Sequence, residues 1–169
     1  FLAFASIVRE YKLDELLEQS FGAKAGFVLD LALYLIVAED NAGQYYPDYA
    51  RCHPLFTQGM SIYSDSTVSR FLSSIERDQI TGFLDDWNAR QDHRQRIYIS
   101  YDSTNKNSQA GDLDLVEFGH AKVDQGLPII NISVAYDKTN QVPLFYEAYP
   151  GSIPDVSQLQ YLIEKLAAY

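Results

Sequence analysis

A short run in the middle of the chain constrains its fold more than any other feature. In residues 97–105 (IYISYDSTN), apolar and aromatic side chains alternate with polar ones, which is the period of a half-buried β-strand. Side chains two positions apart share a face, so Ser100 lies with Asp102, and Ile99 lies with Tyr101. The pattern predicts a strand that ends at Asp102 and delivers its carboxylate into a turn of small polar residues. Such a strand end suits a metal ligand, because the rigid sheet holds the carboxylate in place.

The residues that follow predict a hairpin and then a helix. Residues 128–136 alternate again, residues 142–149 form another strand-like run, and the turn-forming sequence DKTN lies between them. Ser152, with Asp155 three residues later, is similar to a capping box, which predicts that a helix starts here and covers 153–168. The apolar positions expected to form the buried face of this helix are Val156, Leu159, Ile163 and Leu166.

The N-terminal part of the chain has the pattern of helices, expected over 5–20, 23–39, 61–75 and 77–91. Short polar residues at the start of the third helix predict an N-cap. A short turn beside a helix rich in Ser, Thr and Arg is similar to a helix-turn-helix, which would lie at about 60–76. In that interpretation, the residues facing DNA are Ser66, Thr67, Ser69 and Arg70. A plain helical bundle is the alternative, because an acidic surface repels phosphate.

Composition limits the function classes. The chain has 23 acidic and 13 basic residues and a net charge of −10, whereas DNA-binding surfaces are usually basic, so this chain alone is expected to bind DNA weakly. The lone Cys52 excludes an internal disulfide. Asp30 interrupts the most apolar stretch, 25–38, which therefore predicts a buried helix and no transmembrane helix. We expect a cytoplasmic protein that does not bind membranes.

Three motifs of the C-terminal part resemble one family. The run YISYDST at 98–104, the strand INISVAY at 130–136 and the Gly151-x-x-x-Asp155 opening of a helix are similar to the front half of a DDE-type insertion-sequence transposase. The nearest resemblance is to the group named after insertion sequence four. It covers roughly residues 55–169 of the chain.

This resemblance implies a ribonuclease H-like catalytic core. The expected fold is α/β in that part and α+β overall, with an all-helical region over 1–95 followed by the truncated first half of the core over 96–169. Such enzymes use two aspartates and a glutamate to hold two divalent metal ions, and Asp102 corresponds to the first aspartate. The other two carboxylates are expected beyond Tyr169, so this chain alone is expected to be inactive.

The resemblance also implies an activity. The full enzyme would use Mg²⁺ or Mn²⁺ to cut transposon-end DNA and transfer the 3′-hydroxyl strand to target DNA, acting as a homo-oligomer on DNA. Its location would be cytoplasmic and nucleoid-associated, in a bacterium or an archaeon. Two alternatives remain open: a non-catalytic relic or domesticated module for DNA binding or oligomerisation, and another nuclease of the ribonuclease H fold, such as a resolvase.

Several other residues are candidates for supporting roles. Asp155 is expected in the first turn of its helix, where a carboxylate stabilises the helix dipole, and a place near the metals or DNA is the alternative. His120 and Asp124 close the loop after the first core strand, within reach of a phosphate or a metal. A basic patch before that strand is either a solvated linker or a DNA contact, and its arginines are Arg90, Arg94 and Arg96.

Overall fold

The computed structural model describes residues 1–39, 42–91, 98–110 and 113–166, with side chains described as far as Glu164. These residues form α-helices and one three-stranded antiparallel sheet, which confirms the α+β class. The chain divides into two compact units, Phe1–Trp87 and Asn88–Tyr169. The division therefore falls before the predicted boundary at residue 95.

The described part of the N-terminal unit consists of helices and the turns between them. Its α-helices are α1 (Leu2–Tyr11), α2 (Leu13–Phe21), α3 (Ala25–Ala38), α4 (Tyr46–Cys52), α5 (Asp65–Ser73) and α6 (Arg77–Ala89). The helix predicted over 5–20 is two helices, because Lys12 adopts a left-handed conformation with φ of 50° and ends α1. This break lets Val8 of α1 and Leu17 of α2 enter one core cluster.

These helix boundaries contradict the predicted helix-turn-helix at about 60–76. That range contains a single α-helix, α5, because residues 61–64 have no helical structure. The predicted N-cap is confirmed, since the backbone N–H of Thr67 donates to Ser64 Oγ over 3.3 Å. The helix that follows a short turn is α6, so α5 is the first helix of the pair α5–α6.

Helix α3 carries a buried acid that holds a distant loop. Asp30 is 1% exposed, and its carboxylate accepts hydrogen bonds from Phe56 N–H (2.6 Å), Thr57 N–H (2.9 Å) and the Thr57 hydroxyl (2.6 Å). One turn earlier, a Cβ on Gly26 would lie 2.7 Å from the Phe56 carbonyl oxygen. Desolvation raises the pKa of Asp30, and the three hydrogen bonds only partly oppose it. The acid therefore fastens the 56–57 backbone to α3.

The segment Leu13–Ala38 bears on the prediction that the chain has no transmembrane helix, which stays a prediction. Among the described residues it is long and apolar enough to cross a membrane, by length and composition alone. It comprises α2, the 3₁₀ turn Gly22–Lys24 and α3, and the core helix of a soluble protein meets the same criterion. The absence of a membrane partner stays a prediction.

The C-terminal unit is built on a sheet of strands β1 (Ile99–Asn107), β2 (Ile129–Asp137) and β3 (Val142–Pro150), in the order β1-β2-β3 and antiparallel throughout. The predicted hairpin is confirmed as β2–β3. Its turn depends on the buried Asp137, whose carboxylate accepts the backbone N–H groups of Thr139 (2.7 Å) and Asn140 (3.1 Å). Helix α7 (Asp155–Leu166) follows.

The two faces of the sheet differ in burial. Along β2, the odd-numbered residues 129–137 are buried, whereas the even-numbered residues 130–136 are partly or largely exposed. The buried face includes the polar residues Asn131 and Ser133, and the apolar residues on the other face include Val134, which is 37% exposed. Alternation therefore marks the strand correctly, but the more apolar face is not the covered one.

Helix α7 turns a different face inward from the one predicted. Gln158 and Leu162 are buried, whereas Val156, Leu159 and Ile163 are exposed. The reason is that the Asp155 carboxylate is hydrogen-bonded to Ser103 and Tyr149 at the first turn. Residues three and seven positions after Asp155 lie on the same face of the helix, so that face is turned inward. The apolar stripe read from the sequence therefore lies on the outer surface of this unit.

Candidate functional site

Asp102 lies in the middle of β1 and not at its end. The strand continues to Asn107, so the predicted turn of small polar residues is wrong. Asp102 is exposed and lies opposite Val134 of β2. A shallow cavity of about 420 Å³ on this face is lined by Asp102, Ser100, Val134 and Tyr136, together with Lys138. The carboxylate therefore faces open space on the less covered side of the sheet.

The polar residues that follow Asp102 explain why β1 continues. On the opposite face, the amide of Asn105 donates to the His120 carbonyl (2.9 Å), and its oxygen accepts the Lys122 N–H (3.0 Å). Asn107 repeats this arrangement with the carbonyl (2.7 Å) and N–H (3.2 Å) of Asp124. These amides bind the 120–124 loop as a neighbouring strand would, so polar residues are required where a turn was predicted.

Asp155 is the centre of a hydrogen-bonded cluster on that same face. Its Oδ2 accepts from the Ser103 hydroxyl (2.6 Å), and its Oδ1 accepts from the Tyr149 hydroxyl (2.7 Å). Lys122 Nζ donates to the Ser103 carbonyl (2.6 Å). The cluster therefore connects β1, β3 and the 120–124 loop to the first turn of α7.

The cluster changes two pKa values. The hydrogen bond from Ser103, followed by the one from Tyr149, lowers the pKa of Asp155, and the Lys122 charge adds to this effect. Burial raises the pKa of the Tyr149 hydroxyl, and its hydrogen bond to Asp155 raises it further. Asp155 is thus held as a carboxylate in a structural contact.

The predicted site residues do not form one constellation. Asp102 points to one face of the sheet, whereas Ser103 and Asn105 point to the other, because successive side chains of a strand alternate. On the second face, Asp155 is hydrogen-bonded through its side chain, whereas His120 and Asp124 are hydrogen-bonded through their backbone carbonyls. The structure therefore does not bring these three residues beside Asp102, and a supporting role near a metal or DNA stays a prediction.

The predicted DNA-contacting residues lie on α5 or beyond it. Ser66, Ser69 and Arg70 are exposed and Thr67 is half-buried. Arg70 is oriented within its own helix, since Nη2 donates to Thr67 Oγ1 (3.3 Å) and Nε donates to the Ser66 carbonyl (3.3 Å). Arg90 is exposed just after α6, while Arg94 and Arg96 lie outside the described residues.

Several residues that matter here were missed by the sequence analysis: Ser103, Asn105, Asn107, Lys122 and Tyr149. The available signal was the alternation of Ser103, Asn105 and Asn107, which has the period of a strand although all three are polar.

A divalent ion at Asp102 would require further oxygen ligands. Mg²⁺ prefers oxygen ligands and is usually bound through one or two carboxylates with waters and phosphates. Asp102 supplies one such ligand, and the described residues contain no group of three His, Cys, Asp or Glu side chains able to hold an ion. The described residues at Asp102 therefore supply one ligand for a metal ion and not a complete metal site.

Comparisons with known proteins add no family to this description. Protein-family models, curated proteins and solved structures all gave no significant match to the chain.

A pH-dependent contribution to stability is expected from Asp155. Because folding lowers its pKa from 3.8, this carboxylate stabilises the folded state fully above that value, and the contribution is lost as the pH falls through the lowered pKa. Asp155→Asn should therefore destabilise the chain most at neutral pH, and the difference from wild type should shrink at acidic pH. Urea unfolding at a series of pH values measures this difference.

Ser103→Ala provides a second test, because it removes the hydrogen bond with the largest effect on Asp155. It should reduce the same acid-dependent part of the stability. A difference between wild type and Asp155→Asn that does not vary with pH would contradict this role.

Proposed function

We propose that this chain is the front part of a metal-dependent DNA transposase of the DDE type. The observation that carries the proposal is Asp102, exposed in the middle of β1, on a sheet that continues through the β2–β3 hairpin into α7. This is the order of strand, hairpin and helix expected from the resemblance. The ribonuclease H-like core and the transposase activity are parts of the proposal.

The proposal requires two further carboxylates near Asp102. Strand β2 is paired on both sides, by β1 and β3, so the described residues leave β1 with one unpaired edge. A further strand that paired with β1 at that edge could present a second acid to the same metal. Without such acids, one exposed carboxylate holds a divalent ion only weakly.

Asp102 has a single role in this proposal. It would be an oxygen ligand of Mg²⁺ or Mn²⁺ at the phosphodiester to be cut. The metal, when bound, would activate the attacking water or 3′-hydroxyl and stabilise the leaving oxygen. Lys138 lines the same cavity and would attract the phosphate.

The test of the proposal is cleavage of the element's end DNA by a protein that carries this chain together with the two further carboxylates. We expect cleavage that requires Mg²⁺ or Mn²⁺, stops with chelator and leaves a 3′-hydroxyl, which is then joined to target DNA. Gel analysis of end-labelled strands measures both steps.

Two other outcomes of the cleavage assay would favour a different function. Cleavage without strand joining would favour another nuclease of the ribonuclease H fold. DNA binding without cleavage in either metal would overturn the catalytic proposal and favour the non-catalytic DNA-binding module.

A further inference from the structure

A cavity in the N-terminal unit is lined in part by two of the predicted DNA contacts, Thr67 and Arg70. It has a volume of about 370 Å³ and lies between the end of α2, helix α5 and the start of α6. Phe21 and Phe71 line it and pack edge to face, with ring centroids 6.4 Å apart. Gln79 closes one wall, because its amide donates to the Ser20 carbonyl over 2.9 Å. The cavity is therefore formed by packed side chains from three helices.

Two cations reach this cavity, Lys24 from the 3₁₀ turn before α3 and Arg70 from α5. No acidic residue is among its described lining, and neither cation forms an ion pair with a carboxylate in the described part of the chain. The whole chain has 23 acidic and 13 basic residues. Two unpaired cations at one cavity are therefore a local exception to the charge of the protein.

Both cations are held in position. Lys24 Nζ lies 4.2 Å from the ring centroid of Tyr63 and 5.8 Å from that of Phe27, within the range of cation–π attraction. Arg70 donates one N–H to Thr67 and one to the Ser66 carbonyl, which leaves the rest of its guanidinium available. Cations ordered before binding lose less entropy when they contact an anion.

We propose that this cavity binds a phosphate of the DNA backbone, with Lys24 and Arg70 as its charged ligands. This inference rests on the proposed function, because it takes DNA as the partner of the chain. Lys24 and Arg70 line the same cavity, and an ammonium and a guanidinium are the donors that recognise phosphate oxygens. Such a contact would position DNA on the N-terminal unit without reading its sequence.

The test is the salt dependence of binding of double-stranded DNA to the 169-residue chain, measured by fluorescence anisotropy. K24Q/R70Q should weaken binding about tenfold and reduce the slope of log K against log salt by about 1 to 2. The matched control, R9Q/R51Q, removes the same charge from exposed positions of the same unit outside the cavity, and it should change both quantities much less. Circular dichroism checks the fold of each variant. The single variant R70Q repeats the binding test without a change at the half-buried Lys24, because Arg70 is exposed.

Equal loss in K24Q/R70Q and R9Q/R51Q would overturn the inference, as would a wild-type chain that does not bind DNA. Sodium phosphate at matched ionic strength is a further arm. If it raises the thermal midpoint of wild type and not of K24Q/R70Q, while DNA binding is the same in both, the cavity binds free phosphate and DNA is the wrong source.

The variant Asp102→Asn separates this inference from the proposed function. With EDTA present, so that no metal ion joins its side chain to a phosphate, this substitution should not alter the loss of DNA binding caused by K24Q/R70Q, because Asp102 does not line the cavity. Retained cleavage in that variant would contradict the catalytic proposal and leave the phosphate contact standing.

Discussion

Asp102→Asn is expected to abolish metal-dependent DNA cleavage while the chain remains folded. The amide keeps the size of the side chain and loses the negative charge that a hard cation requires. A metal contributes several kcal/mol to the transition state, so at about 1.4 kcal/mol per tenfold in rate, the loss should be about 10³-fold or more. Asp102 is exposed, so the substitution should change stability by less than about 0.5 kcal/mol.

The measurement is the rate of strand cleavage with Mg²⁺ and with Mn²⁺, in a protein that carries the further carboxylates, alongside Mn²⁺ binding. Thr104→Val is the matched control. Thr104 is exposed two residues along β1, on the same face as Asp102, and its loss removes a polar group without removing a charge. Cleavage at the wild-type rate by Asp102→Asn would show that Asp102 is not a metal ligand.

Gly151→Ala is expected to disrupt the C-terminal unit. A Cβ at Gly151 would clash with the carbonyl oxygens of Glu117 and Ile129 and would lie 2.7 Å from Ile129 Cγ1. Both oxygens belong to the bridge between Glu117 and Ile129, in which the backbone donates in both directions over 3.1 and 2.8 Å. Relief of the clash would break that bridge, so the cost should be about 3 kcal/mol or more.

Urea unfolding, with hydrogen exchange of the β2 amides to follow this unit by itself, measures that cost. Gly126→Ala is the matched control in the same unit, because its Cβ would approach only the side chain of Asp124, at 3.2 Å, which can move. The control should change the free energy of unfolding by less than about 1 kcal/mol. A similarly small effect for Gly151→Ala would show that the 117–129 bridge is not packed against Gly151 in solution.

Local patterns predicted the parts of the fold that depend on local physics. The alternation in 128–136 and the DKTN turn identified the β2–β3 hairpin, because both the pleat and the Asp137 turn act over a few residues. An N-cap among the short polar residues at the start of the third helix was predicted for the same reason, and Ser64 provides it. These features sufficed for the α+β class, since helix and strand periods differ.

Other features depended on partners far away in the chain. The extent of β1 was missed because Asn105 and Asn107 pair with a loop about fifteen residues later, and no local pattern contains that partner. The buried face of α7 was wrong for a similar reason. Asp155 is held by Ser103, 52 positions earlier, and this contact turns Gln158 inward in place of Val156.

The same distinction between local patterns and long-range contacts applies to the candidate site. The sequence by itself determined that Asp102 shares a strand face with Ser100, opposite to Ile99 and Tyr101, because that follows from the pleat. Only the tertiary structure decided which face is covered, and therefore that Asp102 is open while Asp155 is occupied by Ser103 and Tyr149. Burial depends on which elements pack together, and their interactions join residues that are distant in the sequence.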